Sequence, residues 1–364
     1  MPEDQLYDAV IVDTRPVIEV AGAQHDMIPE LLVAVEVCER ECGLSHAEIL
    51  LLNSTEHAGA GLGLAFEHSE TNLFPLGETL RVLTGDAADP TEIFRGMVSA
   101  VSFEMEDGDQ PRLRVFAEDA LMSWRMVRRN RTFAAGPLRD LLRQLARDTG
   151  LSPVITGLNE EVDEQQQLNE TDLAFLQRLA RRYDFDAQVV AEELHLSPRA
   201  AVDRGTVTLA LGQQLRDVRV TADLAHQRGA TEVHGLDIFS GAVKSVRSGS
   251  LTALGPGAGA TGPEEVDRVF PGTRVRLPDT DFANETEAQA VVDAAQTRRA
   301  RGFVLAEGRA VGNAAIRVGT VVTLEELGPR FSNDYYVTRV RHSFDQRAGL
   351  VSEFSAECAY FGRV

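Results

Sequence analysis

Apolar and polar positions alternate along much of residues 1–130, which is the pattern of half-buried β-strands. Branched residues are common in these runs, and Gly, Asp, Asn and Pro separate them. The pattern predicts an antiparallel barrel or sandwich. The predicted strands are DAVIVD, ELLVAVEVCE, AEILLLN, TLRVLTG, GMVSAVSFEM and RLRVFAED.

Two other segments repeat their apolar residues at helical spacing. Residues 136–150 place four leucines on one stripe, Pro137 suits the first turn, and Gly150 suits the position just past the end. Residues 284–301 form another predicted helix, with small apolar residues on one face and arginines toward its C-terminus. Strands are predicted again between these helices, over residues 205–240, and after residue 301.

A further helix is predicted within residues 169–185, whose first residues are polar. Asn169 or Thr171 can cap it, and Glu170 and Asp172 lie where the helix dipole favours negative charge. A catalytic carboxylate would need a second acid facing it across a cleft, and the sequence indicates none. We therefore interpret these acids as the start of a helix. Its apolar positions are Leu173, Phe175, Leu176, Leu179, Ala180 and Tyr183.

The end of the first β region resembles the end of the chain. In both places a strand led by glycine is followed by a loop and then by a hairpin. This similarity predicts two related β units in one chain. The equivalent stretches are 77–83 with 319–325, 97–105 with 336–344, and 115–119 with 354–358.

Length and charge restrict the class of protein. A chain of 364 residues with 43% hydrophobic residues predicts two to four folded units. A net charge of -20 argues against sequence-specific nucleic-acid binding and against an anionic membrane surface. No apolar run approaches the ~18–20 residues that cross a bilayer. The N-terminus lacks the pattern of a signal peptide, so we expect synthesis in the cytoplasm without classical secretion.

Residues with familiar chemistry do not combine into a recognisable site. Lys244 is the only lysine, which limits Schiff-base and P-loop chemistry. Three cysteines and eight histidines lack zinc spacing, and no nucleophile-elbow motif occurs. The glycines of 59–65 precede no predicted helix and suit a loop. We predict no catalytic, cofactor-binding or metal-binding residues and no cofactor.

Three segments carry a resemblance to a known family. Residues 74–105, 168–189 and 287–345 resemble, in order, the first barrel, the helix motif and the C-terminal section of the late control gene D family. These are baseplate hub proteins of contractile phage tails, similar to the N-terminal region of valine–glycine repeat spike proteins. Thr171 stands where serine is commoner in that family. The matching signature positions are Asn169, Asp172, Phe175, Leu176, Leu179, Gly319, Tyr336, Val337 and His342.

The resemblance implies an α+β, mainly β fold with two tube-like antiparallel β-barrels and helix-containing outer insertions. The first barrel would comprise residues 1–130, and the second would comprise 206–245 and 303–364. An insertion with two helices would cover 131–205, and an insertion with a glycine-rich loop and one helix would cover 246–302. His342 would satisfy a hydrogen bond near the end of a strand.

The resemblance also implies a function. The chain would be a structural, non-enzymatic hub of a phage tail, a tailocin or an extracellular contractile injection system. It would form a homotrimer and contact the inner tube protein, a separate spike-tip protein and other baseplate components. The alternatives are a tail-tip-associated cell-wall hydrolase and a sugar-binding β protein. The acidic charge could repel phosphates from a lumen, or it could reflect solubility together with the composition bias of the genome.

Overall fold

The computed structural model describes residues 15–56, 62–66, 72–86, 89–147, 150–236, 243–249, 251, 253–278 and 285–362. The strand predicted at DAVIVD and the first residues of GAGLGLA lie outside the described residues.

Strands make up most of the regular structure, as the alternating pattern predicts. Those of the first half are Val17–Val20 (β1), Ala23–Gln24 (β2), Leu32–Arg40 (β3), His46–Leu52 (β4), Thr55–Glu56 (β5), Leu62–Gly63 (β6), Thr79–Asp86 (β7), Asp89–Glu104 (β8), Arg112–Glu118 (β9), Arg128–Phe133 (β10), Gly136–Pro137 (β11), Ser152–Ile155 (β12), Glu161–Val162 (β13) and Gln165–Thr171 (β14). Those of the second half are Phe185–Val190 (β15), Glu193–Pro198 (β16), Thr206–Ala210 (β17), Leu215–Ala222 (β18), Ala230–Leu236 (β19), Val243–Arg247 (β20), Ala260–Thr261 (β21), Arg274–Arg276 (β22), Val304–Val311 (β23), Val321–Glu325 (β24), Asn333–Asp345 (β25), Gly349–Cys358 (β26) and Tyr360–Phe361 (β27).

The helices confirm the helical periodicity, with corrections at their ends. Gly136 and Pro137 pair in β11, so the helix predicted within 136–150 begins at Leu138, and Gly150 lies beyond its last residue with a φ of +83°. The helices are Met27–Leu31 (α1), Met122–Arg125 (α2), Leu138–Arg147 (α3), Asp172–Tyr183 (α4), Gly262–Val269 (α5) and Glu285–Arg301 (α6). A 3₁₀ turn spans Arg199–Ala201.

One 13-stranded sheet runs through the molecule in the order β18-β23-β26-β25-β3-β4-β9-β8-β7-β1-β2, with β24 on β25 and β17 on β24. Its pairings are antiparallel except for that of β17 with β24. The chain is therefore α+β and mainly β, as predicted. Within the described residues the path of pairings does not close on itself, so two closed barrels stay a prediction.

Three large hydrophobic cores follow the chain. The first packs under β1, β3, β4 and β7–β9, and the third packs under β17, β18 and β23–β26. Between them in sequence, α2, α3, α4 and the strands around them share a second core. This second core also takes in Leu121 and Trp124, which precede the predicted insertion boundary at residue 131.

Candidate assembly surface

Two groups of five strands have the same pairing order. Repeat one is β3-β4-β9-β8-β7, and repeat two is β18-β23-β26-β25-β24. Thr79 pairs with Met97 in repeat one, and Val321 pairs with Tyr336 in repeat two. These are equivalent residues in the sequence alignment of the two chain regions. The predicted internal repeat is thus confirmed as a shared strand arrangement.

The two repeats also share their irregularities. A β-bulge interrupts the same two ladders in each repeat and at equivalent residues. Because a bulge bends and twists its strand locally, the shared bulges bend both repeats at equivalent positions. The register shifts lie at Val98/Ala100 and Val337/Arg339, and at Leu32/Ala34 and Leu215/Asp217.

The structure extends the repeat to strands that the sequence comparison missed. β3 corresponds to β18, so that Val35-Glu36-Val37 matches Val218-Arg219-Val220. β4 corresponds to β23, so that Ala47-Glu48 matches Ala306-Glu307. Matches of two or three residues are too short to recognise before the strand partners are known.

The repeats join through one strand pair. Residues 339–345 of β25 pair antiparallel with residues 34–40 of β3. On the core side of this joint, His342 lies opposite Val37 and Phe344 lies opposite Val35, and all four side chains are buried. The joint makes the two repeats a continuous sheet.

Charged side chains cross the polar face of this sheet, and we call them the charged belt. Arg341 Nη2 lies 2.6 Å from Glu353 Oε2, and Arg341 Nη1 lies 3.6 Å from Glu36 Oε2. Further along, Arg114 pairs with Glu48, and its Nε lies 2.5 Å from Glu104 Oε1. Acids and arginines thus neutralise each other on a partly exposed surface, where each pair contributes about 0–1 kcal/mol. In sheet order the belt is Asp217, Arg309, Glu353, Arg341, Glu36, Glu48, Arg114 and Glu104.

Asp172, a signature residue, is enclosed by donors at the start of α4. Its side chain is 3% exposed, and Arg129 Nε lies 3.1 Å from Oδ2. Arg131 pairs with Oδ1, and Gln167 Nε2 donates to the same oxygen at 2.9 Å. A buried carboxylate surrounded in this way positions strands and helix against each other.

Of the two predicted caps of α4, Thr171 is the one that acts. Its hydroxyl accepts a hydrogen bond from Ala174 N–H at 3.2 Å. Asn169 instead belongs to β14, where its φ is +49° and its N–H donates to Asn130 Oδ1 at 2.8 Å. Asn169 therefore sets the backbone conformation of the residues that lead from β14 into α4.

The apolar signature residues of α4 lie in the second core. Phe175 stacks on Phe133 with ring centroids 5.2 Å apart, and the Arg178 guanidinium lies over the Phe175 ring, 4.9 Å from its centroid. Leu176 and Leu179 are buried beside Phe175. These side chains brace the region and do not line an open site.

Gly319 has the same backbone role as Gly77 of repeat one. Gly319 N–H donates to Val337 O at 2.9 Å, and Gly77 N–H donates to Val98 O at 2.8 Å. Their φ angles are +90° and +87°, a region that favours glycine. Gly319 with Val337 thus fixes the start of β24, as Gly77 with Val98 fixes the start of β7.

Tyr336 belongs to a buried network that links distant parts of the chain. The Arg199 guanidinium lies over its ring, and burial raises the pKa of its hydroxyl. Arg199 also pairs with Glu41, and its Nη2 lies 2.7 Å from Glu357 Oε1. Arg301 reaches the same Glu357 oxygen at 3.3 Å. Because the residues of this network are far apart in sequence, no local sequence pattern predicted it.

His342 makes the hydrogen bonds of a buried structural histidine. Its Nδ1 lies 2.9 Å from Ser352 Oγ, and its Nε2 lies 3.0 Å from Ile316 O. Burial lowers its pKa from 6.5 to about 4. The predicted hydrogen bond is confirmed.

The remaining candidate residues, the histidines, cysteines and acids, do not form a metal site within the part of the chain that the structure describes. No group of three or more His, Cys, Asp or Glu residues there could hold a metal ion. Cys38, Cys42 and Cys358 are free thiols, and burial raises the pKa of each. None of the described helices combines the length and apolar character needed to span a bilayer.

Solved structures share this fold over nearly the whole chain. The 43 kDa tail protein of prophage MuSo2 from Shewanella oneidensis has a TM-score of 0.67 at 13% identity, covering 94% of this chain and 97% of that one. A tail protein of Neisseria meningitidis has a TM-score of 0.64 at 9% identity, covering 95% and 98%. An Escherichia coli type VI secretion component, described as similar to the T4 tail proteins gp27 and gp5, has a TM-score of 0.58 at 12% identity, covering 95% and 79%.

The chain therefore has the fold of phage tail proteins and of type VI secretion components. The model of the Alg8 N-terminal domain family matches residues 17–346, and the chain belongs to this family. No curated protein sequence matches the chain. Membership of the late control gene D family stays a prediction.

Proposed function

We propose that the chain is a structural hub of a contractile injection particle. It assembles as a homotrimer and adapts a six-fold inner tube to a three-fold spike. The observation that carries this proposal is the pair of repeats with equal strand order and equal bulges. Three copies would present six repeats around one axis, so one ring would carry both periodicities. The shared fold with tail proteins and type VI secretion components supports it.

The proposal includes a plan for the domains. Repeat one would belong to a tube-like barrel of residues 1–130, and repeat two to a second barrel of 206–245 and 303–364. Residues 131–205 and 246–302 would be outer insertions. The separate cores under the two repeats and under α3 and α4 support this division. The partners would be the inner tube protein, a spike-tip protein and other baseplate components, in an assembled tail or injection particle.

The mass of the purified chain in solution tests the proposal. We expect a trimer, or a monomer that becomes a trimer when the spike protein is added. Electron microscopy of the trimer should then show six similar β units around the axis. A chain that stays monomeric with and without the spike protein would refute the hub function.

The alternative of a cell-wall hydrolase is tested on peptidoglycan. The hub proposal predicts no lysis by the purified chain. The signature carboxylate Asp172 is occupied by arginine and glutamine donors. Robust lysis that a single carboxylate substitution abolishes would establish the enzyme instead.

The charge of the lumen is a separate part of the proposal. If the polar face lines the channel, the charged belt would present five acids and three arginines per chain, mostly paired with each other. Such a surface would hold water and offer few unpaired cations to phosphate. The electrostatic potential of a solved trimer tests this, and a basic channel would reject it.

A further inference from the structure

We propose that β18 of one copy pairs antiparallel with the end of β8 of the next copy, so that residues 217–223 lie against residues 106–100. This inference rests on the proposed trimer and names the surface that closes it. The pairing would reproduce, between two chains, the joint that β3 and β25 already make within one chain.

The strand edges needed for this joint are open in the described chain. Among the described strands, β18 pairs only with β23 and ends the sheet path. One isolated bridge joins its first residue, Leu215, to Leu211 and leaves residues 217–223 free of it. β7 pairs with β8 only as far as Met97, and the backbone of Val98 bonds to Gly77 and Glu78. Beyond that point β8 pairs only with β9 among the described residues. Open edges of this kind are where another strand can add its backbone hydrogen bonds.

The exposed side chains at the end of β8 and directly after it correspond to buried side chains on β25. In repeat two, Val340 and Phe344 are 0% and 6% exposed because β3 and its core cover them. Their equivalents in repeat one, Val101 and Met105, are 39% and 60% exposed. Phe103, the equivalent of buried His342, is 52% exposed. Exposed apolar residues at the equivalents of a covered stripe indicate that a partner covers them.

The free edge of β18 carries the matching apolar positions. Val218 and Val220 are half-buried, whereas their equivalents Val35 and Val37 in the internal joint are 3% and 0% exposed. Transferring the internal register places Phe103 opposite Val220 and Met105 opposite Val218. Both pairs would bury apolar surface that the single chain leaves partly in water.

On the polar face of the same joint, one central pair is complementary in charge. The register places Glu104, the last residue of the charged belt, opposite Arg219 of the next copy. Opposite charges directly across two strands favour the pairing. Glu106 would face Asp217, and two acids directly opposite disfavour the pairing. Arg309 Nη1, which lies 3.8 Å from the Asp217 carboxylate, would partly offset this repulsion. The charged belt would then continue from one copy to the next around the ring.

A second copy of this chain is the occupant that fits. The free edge of β8 is equivalent to that of β25, and the free edge of β18 is equivalent to that of β3. Because β25 and β3 already pair within the chain, β8 and β18 have the bulges and residue spacing that the same pairing requires. Three such joints between chains would alternate with the three β3–β25 joints within chains. A head-to-tail contact of this kind makes a closed ring and leaves no open edge on these strands.

A pair of cysteines tests the joint in the full chain. The double variant Glu104→Cys with Arg219→Cys, oxidised mildly, should form disulfide-linked dimers and trimers, because opposite Cα atoms in an antiparallel pair lie about 4.5–5.5 Å apart. The native thiols should contribute little, because burial raises the pKa of Cys38 and of Cys358 to about 12. Non-reducing electrophoresis and peptide mass spectrometry identify the linked residues.

Two matched variants control this experiment. Glu36→Cys with Ser343→Cys occupies the equivalent positions of the internal joint and should link within one chain. Glu104→Cys with Thr221→Cys lies two residues out of register on the same face, at a diagonal of about 7–8 Å, and should link at least tenfold more slowly.

The outcomes separate this inference from the proposed function. Linkage of residues 104 and 219 between chains of a trimer supports both. A trimer without that linkage, or with faster linkage of residues 104 and 221, overturns the joint and leaves the hub function standing. A chain that does not assemble even with the spike protein overturns both.

Discussion

At the scale of single residues, Gly77 and Gly319 have the same backbone conformation but different neighbouring side chains. Both have a positive φ and donate to the equivalent carbonyl of the neighbouring strand. A Cβ atom built on Gly77 would meet nothing within 4 Å, whereas one on Gly319 would lie 2.5 Å from Arg204 Nη1. Arg204 is held there by Asp186 and by Val318 O, so it cannot move away freely.

This contrast predicts different costs for the same substitution. Gly77→Ala should lower the free energy of unfolding by about 1–2 kcal/mol, because only the positive φ is strained. Gly319→Ala should lower it by roughly 1–3 kcal/mol more, because the methyl group also displaces Arg204. Denaturant unfolding of both variants measures this, and equal costs would contradict the role given to Arg204.

His342 predicts a particular dependence of stability on pH. Its folded-state pKa of about 4 lies below the unfolded value of 6.5, so the unfolded chain takes up the proton first as pH falls. The stability that this histidine contributes is complete above pH 6.5 and is lost as pH falls toward 4. The loss should amount to roughly 3 kcal/mol.

The variant His342→Gln provides the comparison, because glutamine can hydrogen bond but does not titrate in this range. Wild type should unfold at a higher temperature than the variant at pH 7.5, and the difference between them should shrink as the pH is lowered. A difference that stays constant between pH 7 and pH 4 would show that His342 is not the titrating group.

At the scale of elements, α4 shows how periodicity and packing agree. Its predicted apolar residues are all buried, and its first residue Asp172 anchors β10 and β14 through Arg129, Arg131 and Gln167. The helix therefore fastens two strands to the second core. Its start depends on the Thr171 cap, and its position depends on contacts that lie far away in sequence.

Phe175→Asp should disrupt this element. Phe175 is 0% exposed and stacks on Phe133, so aspartate would lose the packing and bury an unpaired charge. We expect a loss of roughly 3–5 kcal/mol or more, whereas the control Phe175→Leu should cost about 1 kcal/mol. Thermal unfolding and limited proteolysis of residues 131–205 measure both. Unchanged stability and assembly of Phe175→Asp would contradict the placement of the helix.

At the scale of the whole molecule, the free edges of β8 and β18 separate folding from assembly. Phe103 is 52% exposed in the single chain, so Phe103→Asp should leave its unfolding temperature nearly unchanged. In the proposed joint the same aspartate would be buried opposite Val220, and trimer formation should weaken by at least tenfold. Leu168→Asp, at a residue 66% exposed and away from these edges, is the control. Sedimentation across a range of concentrations measures both variants, and equal assembly would contradict the joint.

Several features of this protein were determined by its sequence alone. Alternation of apolar residues predicted the β regions, helical spacing predicted α3, α4 and α6, and a weak similarity predicted the repeat. These predictions succeed because burial of one face of a strand or helix imposes a period that a short stretch of residues must follow. The mainly β α+β class, which the family resemblance implied, agrees with the same patterns.

Only the tertiary structure decided how these elements meet. The β3–β25 joint, the charged belt and the Arg199 network each join residues more than 100 positions apart. The spacing of apolar residues shows which face of a strand is buried, but it does not show which strand pairs with it or in what register. The neighbouring strand and its register depend on packing across the whole sheet. The equivalence of β3 with β18 could therefore be recognised only from the strands with which they pair.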